Sequence, residues 1–84
     1  MSPLHLVIQY DPAQGDEDAA LALARRLFAR FDEAIDSLAL IPAAEADFAL
    51  YWNDRLVCSQ RATGKAPQVA DLLALLRQTA QSGS

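Results

Sequence analysis

The side chains best suited to chemistry in this 84-residue chain lie in one short stretch, DPAQGDED, at residues 11–18. The carboxylates of Asp11, Asp16 and Asp18 are of the type that binds Ca²⁺ or Mg²⁺, which prefer oxygen ligands. Their spacing, however, matches no EF-hand loop, and successive residues of a helix diverge around its axis. We therefore interpret Asp16, Glu17 and Asp18 as charges that the helix dipole favours in a first turn, and predict no metal site.

The chain has one thiol, Cys58, and one imidazole, His5. A single cysteine cannot form an internal disulfide, and free cysteine commonly behaves as a small buried apolar residue. No adjacent histidine or helix end activates Cys58, so we interpret it as an inert core or half-buried residue. The alternative is a lone thiol open to glutathionylation or a mixed disulfide. His5 lacks a second ligand at metal spacing and is interpreted as an exposed strand residue.

Four strands and two helices are predicted to position these residues. Alternating apolar residues predict strands over 4–10, 35–41, 48–52 and 55–60. Apolar stripes at i, i+3 and i+4 predict helices from residue 16 to about 32 and from Pro67 onwards. Asn53 and Asp54 tolerate positive φ and are predicted to form a two-residue hairpin turn, whereas residues 61–66 are predicted to be a loop. Residues 81–84 are predicted to be a frayed tail.

The element order β-α-β-β-β-α predicts an α+β two-layer sandwich. A chain of 84 residues forms one domain, residues 1–84, since it cannot fill a second core. The strand–helix–strand unit favours parallel pairing, and the last two strands form an antiparallel hairpin. The expected product is a mixed four-stranded sheet with two helices on one face. Strand order does not follow from periodicity alone.

The charge balance excludes several classes of partner. A net charge of −4 argues against nucleic acid, which requires clustered lysine and arginine, and against an anionic membrane surface. No apolar run approaches the roughly 20 residues that span a bilayer. The first ten residues lack the features of a signal peptide, so a cytoplasmic location is expected.

Two stretches of the chain resemble a known family. VIQYDPAQG, residues 7–15, runs a strand through a short loop ending in Gly and into a helix. ADFALYWNDRLVCSQRATGKAP, residues 46–67, has an aromatic strand, a short turn and a return strand ending in Ser, followed by a basic residue, Gly and the closing helix. Together they resemble the selenoprotein W-related (Rdx, SelT/SelW/SelH) family of thioredoxin-like proteins. Members of that family carry Cys-x-x-Cys or Cys-x-x-selenocysteine in the first loop.

The resemblance implies a thioredoxin-like two-layer sandwich and, for the family, thiol-redox activity. In this chain Asp11 stands at the first cysteine position and Gln14 at the second, with Pro12 and Ala13 between them. A carboxylate does not exchange with a disulfide and an amide does not ionise, so we predict no catalytic residue and no cofactor. Further departures are Ala46 and Asp47, where the family usually has Gly before the aromatic strand, and Asp54, where Gly is common in the turn.

The replaced cysteine position suggests a structural role for Asp11. We hypothesise that its carboxylate accepts backbone N–H groups near the start of the helix and acts as a cap. The alternative is a solvated loop aspartate, since Asp-Pro is a common turn pair.

The aromatic strand suggests a partner surface. Adjacent strand residues point to opposite faces, so Phe48, Leu50 and Trp52 form one set, and Ala49 and Tyr51 the other. If both helices cover the first set, Tyr51 and Ala49 lie on an open sheet face where a protein partner or a second copy can bind. The alternative is singly scattered surface aromatics.

Three interpretations of function follow. The first is a redox-motif-deficient protein of the selenoprotein W/Rdx type that serves as a protein-binding or regulatory module. The second is a thiol-redox protein that uses Cys58 with glutathione or a partner thiol. The third is a structural homo-oligomeric small subunit. The replaced positions 11 and 14 favour the first over the second.

Overall fold

The structure, a computed structural model, describes the backbone of residues 4–82 and the side chains of residues 4–78. Its sheet has the strand order β2-β1-β3-β4. β1 pairs in parallel with β2 and antiparallel with β3, and β3 pairs antiparallel with β4. The strands are β1 (Leu4–Tyr10), β2 (Ile35–Pro42), β3 (Ala49–Trp52) and β4 (Arg55–Ser59). The predicted mixed four-stranded sheet of an α+β sandwich is confirmed.

Within residues 4–82, three α-helices accompany the sheet, one more than the sequence predicts. They are α1 (Glu17–Phe31), α2 (Gln60–Thr63) and α3 (Val69–Ser82), and 3₁₀ turns at Pro12–Gln14 and Asp32–Ala34 flank α1. In the described part of the chain, no helix has both the length and the apolar character needed to cross a bilayer.

The prediction of a simple loop over 61–66 is wrong, because α2 occupies its first residues. The Ser59 hydroxyl accepts the Ala62 N–H at 3.3 Å and starts this single turn. Gly64 then ends it in the left-handed conformation, with φ of 78°.

The predicted start of the last helix at Pro67 is also wrong. α3 begins at Val69, because the Asp71 carboxylate reaches back to accept the Gln68 N–H at 2.9 Å and fixes the first turn there. The helix continues to Ser82. Of the predicted frayed tail, residues 83 and 84 lie outside the described residues.

Both long helices pack on one face of the sheet. Leu6, Ile8 and Leu50 from the strands, Leu27 from α1 and Leu72 from α3 are almost fully buried in a single cluster. Complete burial of each such side chain contributes roughly 1.5–3 kcal/mol. The opposite face of the sheet carries no helix among the described residues.

The β3–β4 hairpin is predicted correctly at its turn, but the prediction that Cys58 and Leu56 share one face of β4 is wrong. Asn53 and Asp54 have φ of 48° and 68°, as the predicted two-residue turn requires. A β-bulge then interrupts the ladder, since Leu50 pairs with Cys58 whereas Tyr51 pairs with Leu56. The extra residue moves Cys58 to the helix-covered face and Leu56 to the open face, although simple alternation predicts both on one face.

Candidate functional site

Asp11 is buried directly after the end of β1. Its side chain is only 3% exposed, which contradicts the alternative of a solvated loop aspartate. Oδ1 accepts the Ala13 N–H at 2.9 Å, and Oδ2 accepts the Glu45 N–H at 3.0 Å. Both carboxylate oxygens are therefore held by backbone N–H groups.

The hypothesis that Asp11 caps a helical turn is correct, but the turn that it caps is not the one expected. Asp11 caps the 3₁₀ turn Pro12–Gln14, and not α1. The residue that precedes α1, Asp16, makes no side-chain capping hydrogen bond. Asp11 therefore stabilises the loop itself and its junction with a distant segment.

Residues 11–15 form a compact turn. The Gln14 N–H donates to the Asp11 carbonyl at 3.2 Å, and the Gly15 N–H donates to the Pro12 carbonyl at 3.2 Å. Gly15 has φ of 80°, which a glycine adopts without strain. The side chains of Pro12, Ala13 and Gln14 are exposed. The turn is thus compact, and its exposed side chains include no thiol.

The connector between β2 and β3 makes hydrogen bonds both to the loop after β1 and to the residues that follow β4. Glu45 adopts φ of 61°, and its carbonyl accepts the Arg61 Nη2 at 2.6 Å while its N–H binds Asp11. Asp47 accepts the Arg61 N–H at 3.0 Å and the Ser59 hydroxyl. One residue of the connector, Glu45, therefore links the loop after β1 to the start of α2.

The lone thiol lies apart from that loop, on β4, and β3 separates the two strands. Cys58 is 7% exposed, and its Sγ lies 3.9 Å from the Thr63 Oγ1. A cavity of about 210 Å³ adjoins the thiol and is lined by Cys58, Thr63, Lys65, Ala66, Gln68 and Asp71. The structure does not bring Cys58 together with Asp11 and Gln14.

Burial raises the pKa of the Cys58 thiol. The Thr63 hydrogen bond lowers this pKa in part, whereas the negative charges of Asp71 and Asp47 raise it further. The nucleophile in thiol exchange is the thiolate. Cys58 is therefore a weak nucleophile at neutral pH, in keeping with the interpretation of an inert thiol.

We expect alkylation of native Cys58 by iodoacetamide to be slow at pH 7, at least about tenfold slower than in the unfolded chain. The rate should keep rising with pH after the reaction of a free thiol has levelled off, because the folded-state pKa is raised. The same shift means that the thiol favours folding below its unfolded pKa, and that this stability is lost as pH rises through the folded pKa. Mass spectrometry of timed samples measures the rate. Equal rates for native and unfolded chains at pH 7 contradict the interpretation.

The open face of the sheet contains a shallow groove. Its volume is about 350 Å³, and it is lined by Val7, Gln9, Ile41, Tyr51 and Asp54. Tyr51 is half-buried there, as expected for a residue on the uncovered face. The prediction that Ala49 contributes to an accessible surface is wrong, because Ala49 is only 1% exposed between β1 and β4.

Sequence reasoning missed Gln9, Ile41 and Asp54 as groove residues. Gln9 lies opposite Ile41 in the parallel β1–β2 ladder, and opposite Ala49 on β3. These neighbours follow only from a strand order that places β1 at the centre. Val7 was assignable to the open face by its alternation against Leu6 and Ile8.

The remaining candidates have ordinary surroundings. His5 contacts the Ser37 Oγ through Nδ1 at 2.9 Å and lies 3.4 Å from the Asp36 carboxylate through Nε2. Its side chain is about half exposed on β1, as predicted. Within residues 4–78, no group of three or more histidine, cysteine, aspartate or glutamate side chains has a geometry that can hold a metal ion.

Comparison with known proteins gives one family and two close folds. The model of the Rdx family matches residues 5–78. A solved protein from Bordetella parapertussis superposes with a TM-score of 0.80 at 22% identity, covering 93% of this chain and 99% of that one. A selenoprotein W-related protein from Vibrio cholerae superposes with a TM-score of 0.81 at 20% identity, covering 93% and 98% of the two chains. No curated protein sequence matches the chain. At these identities the two structures establish a shared fold alone.

Proposed function

This chain belongs to the Rdx family, and we propose that it serves as a protein-binding or regulatory module without dithiol chemistry of its own. The observation that carries the proposal is the burial and hydrogen bonding of the Asp11 carboxylate. A carboxylate buried to 3% exposure and held by the Ala13 and Glu45 N–H groups occupies the position where the family resemblance expects a cysteine.

The loop around Asp11 has the character of a structural element. Dithiol exchange needs a thiolate that attacks and a second thiol that resolves the mixed disulfide. Asp11 and Gln14 supply neither thiol. The two hydrogen bonds of the Asp11 carboxylate instead stabilise the loop. The loop therefore holds the β2–β3 connector in place, which in turn positions Ser59 and Arg61.

The surroundings of Cys58 support this proposal over a lone-thiol oxidoreductase. Burial and two nearby carboxylates keep the thiol protonated at neutral pH. A buried, protonated thiol exchanges slowly with glutathione or a protein thiol.

The open sheet face supports a binding role. The groove combines apolar Val7 and Ile41 with the phenol of Tyr51, and Gln9 and Asp54 supply polar groups at its margins. Leu56 extends the exposed apolar surface beyond Tyr51 on the same face. Aromatic and apolar residues framed by polar ones are typical of protein interfaces.

Affinity capture with the purified full chain as bait tests this role. We expect a distinct protein to be retained by the wild type and by Cys58→Ser, and its recovery to fall at least about tenfold with Tyr51→Ala, because aromatic anchors dominate such interfaces. Cys58→Ser is the matched control, since Cys58 lies on the opposite face of the sheet.

Two outcomes contradict the proposal. Equal recovery by wild type and Tyr51→Ala removes the open face as the binding surface. Recovery that depends on Cys58 and is released by a reductant supports the lone-thiol oxidoreductase instead.

A further inference from the structure

One flank of α1 carries exposed apolar side chains and opposite charges along a single line. Glu17, Leu21, Arg25 and Phe28 follow one another at intervals of four, four and three residues, so they lie above one another on the helix. Leu21 is 42% exposed and Phe28 is 47% exposed, so both present apolar surface to solvent. The core-facing residues of α1 lie on another side of the helix: Ala20, Leu23, Ala24 and Leu27.

The charges of this flank, hereafter the α1 flank (Glu17, Leu21, Arg25 and Phe28), have no ion-pair partner within the described part of the chain. Glu17 and Arg25 are eight residues apart, which separates them by roughly 12 Å along the helix axis. They cannot pair with each other in one helix. Any pairing of these two charges with each other therefore takes a second molecule.

We propose that the α1 flank binds the same flank of a second copy of this chain, with the two helices antiparallel and a two-fold axis at Leu21. An isologous contact of this kind presents the same patch on both molecules. In this register each Glu17 faces the Arg25 of the other copy, and the two Leu21 side chains meet on the axis. The α1 flank is thus complementary to itself in charge.

Charge selects this register over its nearest competitor. Shifting the axis to lie between Ala24 and Arg25 sets Leu21 against Phe28, which gives a good apolar contact. The same shift brings the two Arg25 side chains together and sets Glu17 against Asp32 of the other copy. Like charges opposed in this way are unfavourable, whereas the register centred on Leu21 opposes unlike charges only.

The proposed contact gives the replaced redox loop a new neighbour. Phe28 lies seven residues after Leu21, and Gln14 lies seven residues before it. In the two-fold arrangement Phe28, near the end of α1, lies beside the start of α1 at Glu17 of the other copy, which the exposed Pro12–Gln14 turn precedes. A loop without reactive groups can be covered in this way without loss of chemistry.

The dimer should be weak and sensitive to salt. A stable interface of standard size covers about 800 Å² per partner. That is about 15% of the 5458 Å² surface of the single chain, more than one helix flank supplies. The net charge of −4 also opposes self-association. We expect a reversible dimer with a dissociation constant of about 10 μM or higher at low salt, and a larger one at high salt.

Sedimentation velocity of the full chain from about 1 μM to about 1 mM tests the proposal. Glu17→Arg and Arg25→Glu should each raise the dissociation constant about tenfold or more, because each reversal opposes like charges twice in the dimer. Combining the two reversals should restore association to within about threefold of wild type. Arg26→Glu is the matched control, with the same change of charge on an exposed residue turned away from the α1 flank; it should change the dissociation constant by less than about threefold.

Three results overturn the proposal. The proposal is wrong if the chain stays monomeric throughout this concentration range. It is also wrong if the chain dimerises and neither single charge reversal changes the dissociation constant. A dimer that Tyr51→Ala abolishes and Arg25→Glu leaves intact assigns the contact to the open sheet face. The inference does not depend on the proposed function, because its variants leave Tyr51 and its groove unchanged.

Discussion

Replacing Asp11 with alanine is expected to lower the free energy of unfolding by about 2–3 kcal/mol, a large effect for one loop residue. The carboxylate is buried, and its two oxygens accept the N–H groups of Ala13 and Glu45. Removing it leaves both donors without an acceptor and opens a gap at the end of β1. Urea unfolding at pH 7, followed by circular dichroism, measures the loss.

Two variants make this result specific to the Asp11 hydrogen bonds. Asp16→Ala removes a carboxylate from the same stretch that makes no side-chain capping bond, so it should change stability by no more than about 0.5 kcal/mol. Asp11→Asn keeps one good acceptor and should fall between wild type and alanine. If Asp11→Ala and Asp16→Ala are equally mild, the carboxylate at position 11 has no structural role.

Introducing two thiols with Asp11→Cys and Gln14→Cys together is expected to create dithiol exchange activity at least about tenfold above the wild-type background. The Gln14 N–H to Asp11 carbonyl bond shows that positions 11 and 14 close a single turn. Such turns bring the two Cα atoms within about 7 Å, close to the range that a disulfide spans. The Ala13 and Glu45 N–H groups that now hold the carboxylate can stabilise a thiolate at position 11.

Exchange with a fluorescent dithiol substrate, measured in a Cys58→Ser background, isolates the restored pair. Asp11→Cys alone is the control, since it can attack a disulfide but has no resolving thiol. It should form a mixed disulfide and stop there. A folded double variant that neither forms an internal disulfide nor turns over contradicts the view that the loop keeps the geometry of the family motif.

Local patterns in the sequence account for most of the elements. β1 is predicted residue for residue, because Leu4, Leu6 and Ile8 alternate with less buried neighbours over a short run. The first helix is predicted to within a residue or two at each end, since Gly15 precedes it and its apolar stripe stops at Phe31. Likewise, the hairpin turn follows from two residues that tolerate positive φ.

The errors arise where one residue or one distant contact decides the structure. A single extra residue in β4 reverses the face of Leu56 relative to Cys58, and strand periodicity carries no sign of it. The Ser59 hydroxyl at the start and Gly64 at the end are enough to form the single turn of α2, although residues 61–66 have the composition of a loop.

The candidate site was predictable in its positions but not in its interactions. The family resemblance pointed to positions 11 and 14, and the chemistry of Asp and Gln predicts no exchange there. The second hydrogen bond of Asp11 comes from Glu45, which is 34 residues away and belongs to a connector without periodic pattern. That contact exists only because β2 and β3 lie on either side of β1. The groove beside Tyr51 depends on the same strand order.

The central claim is that this Rdx family chain keeps the scaffold of its family while its loop holds fixed groups that do not exchange electrons. Turnover of a dithiol or disulfide substrate by the wild-type chain, with glutathione as the reductant, tests it most directly. We predict a rate no higher than the uncatalysed reaction and no different from that of Cys58→Ser. Repeated turnover by the wild type, many cycles per molecule and above that background, would contradict the claim.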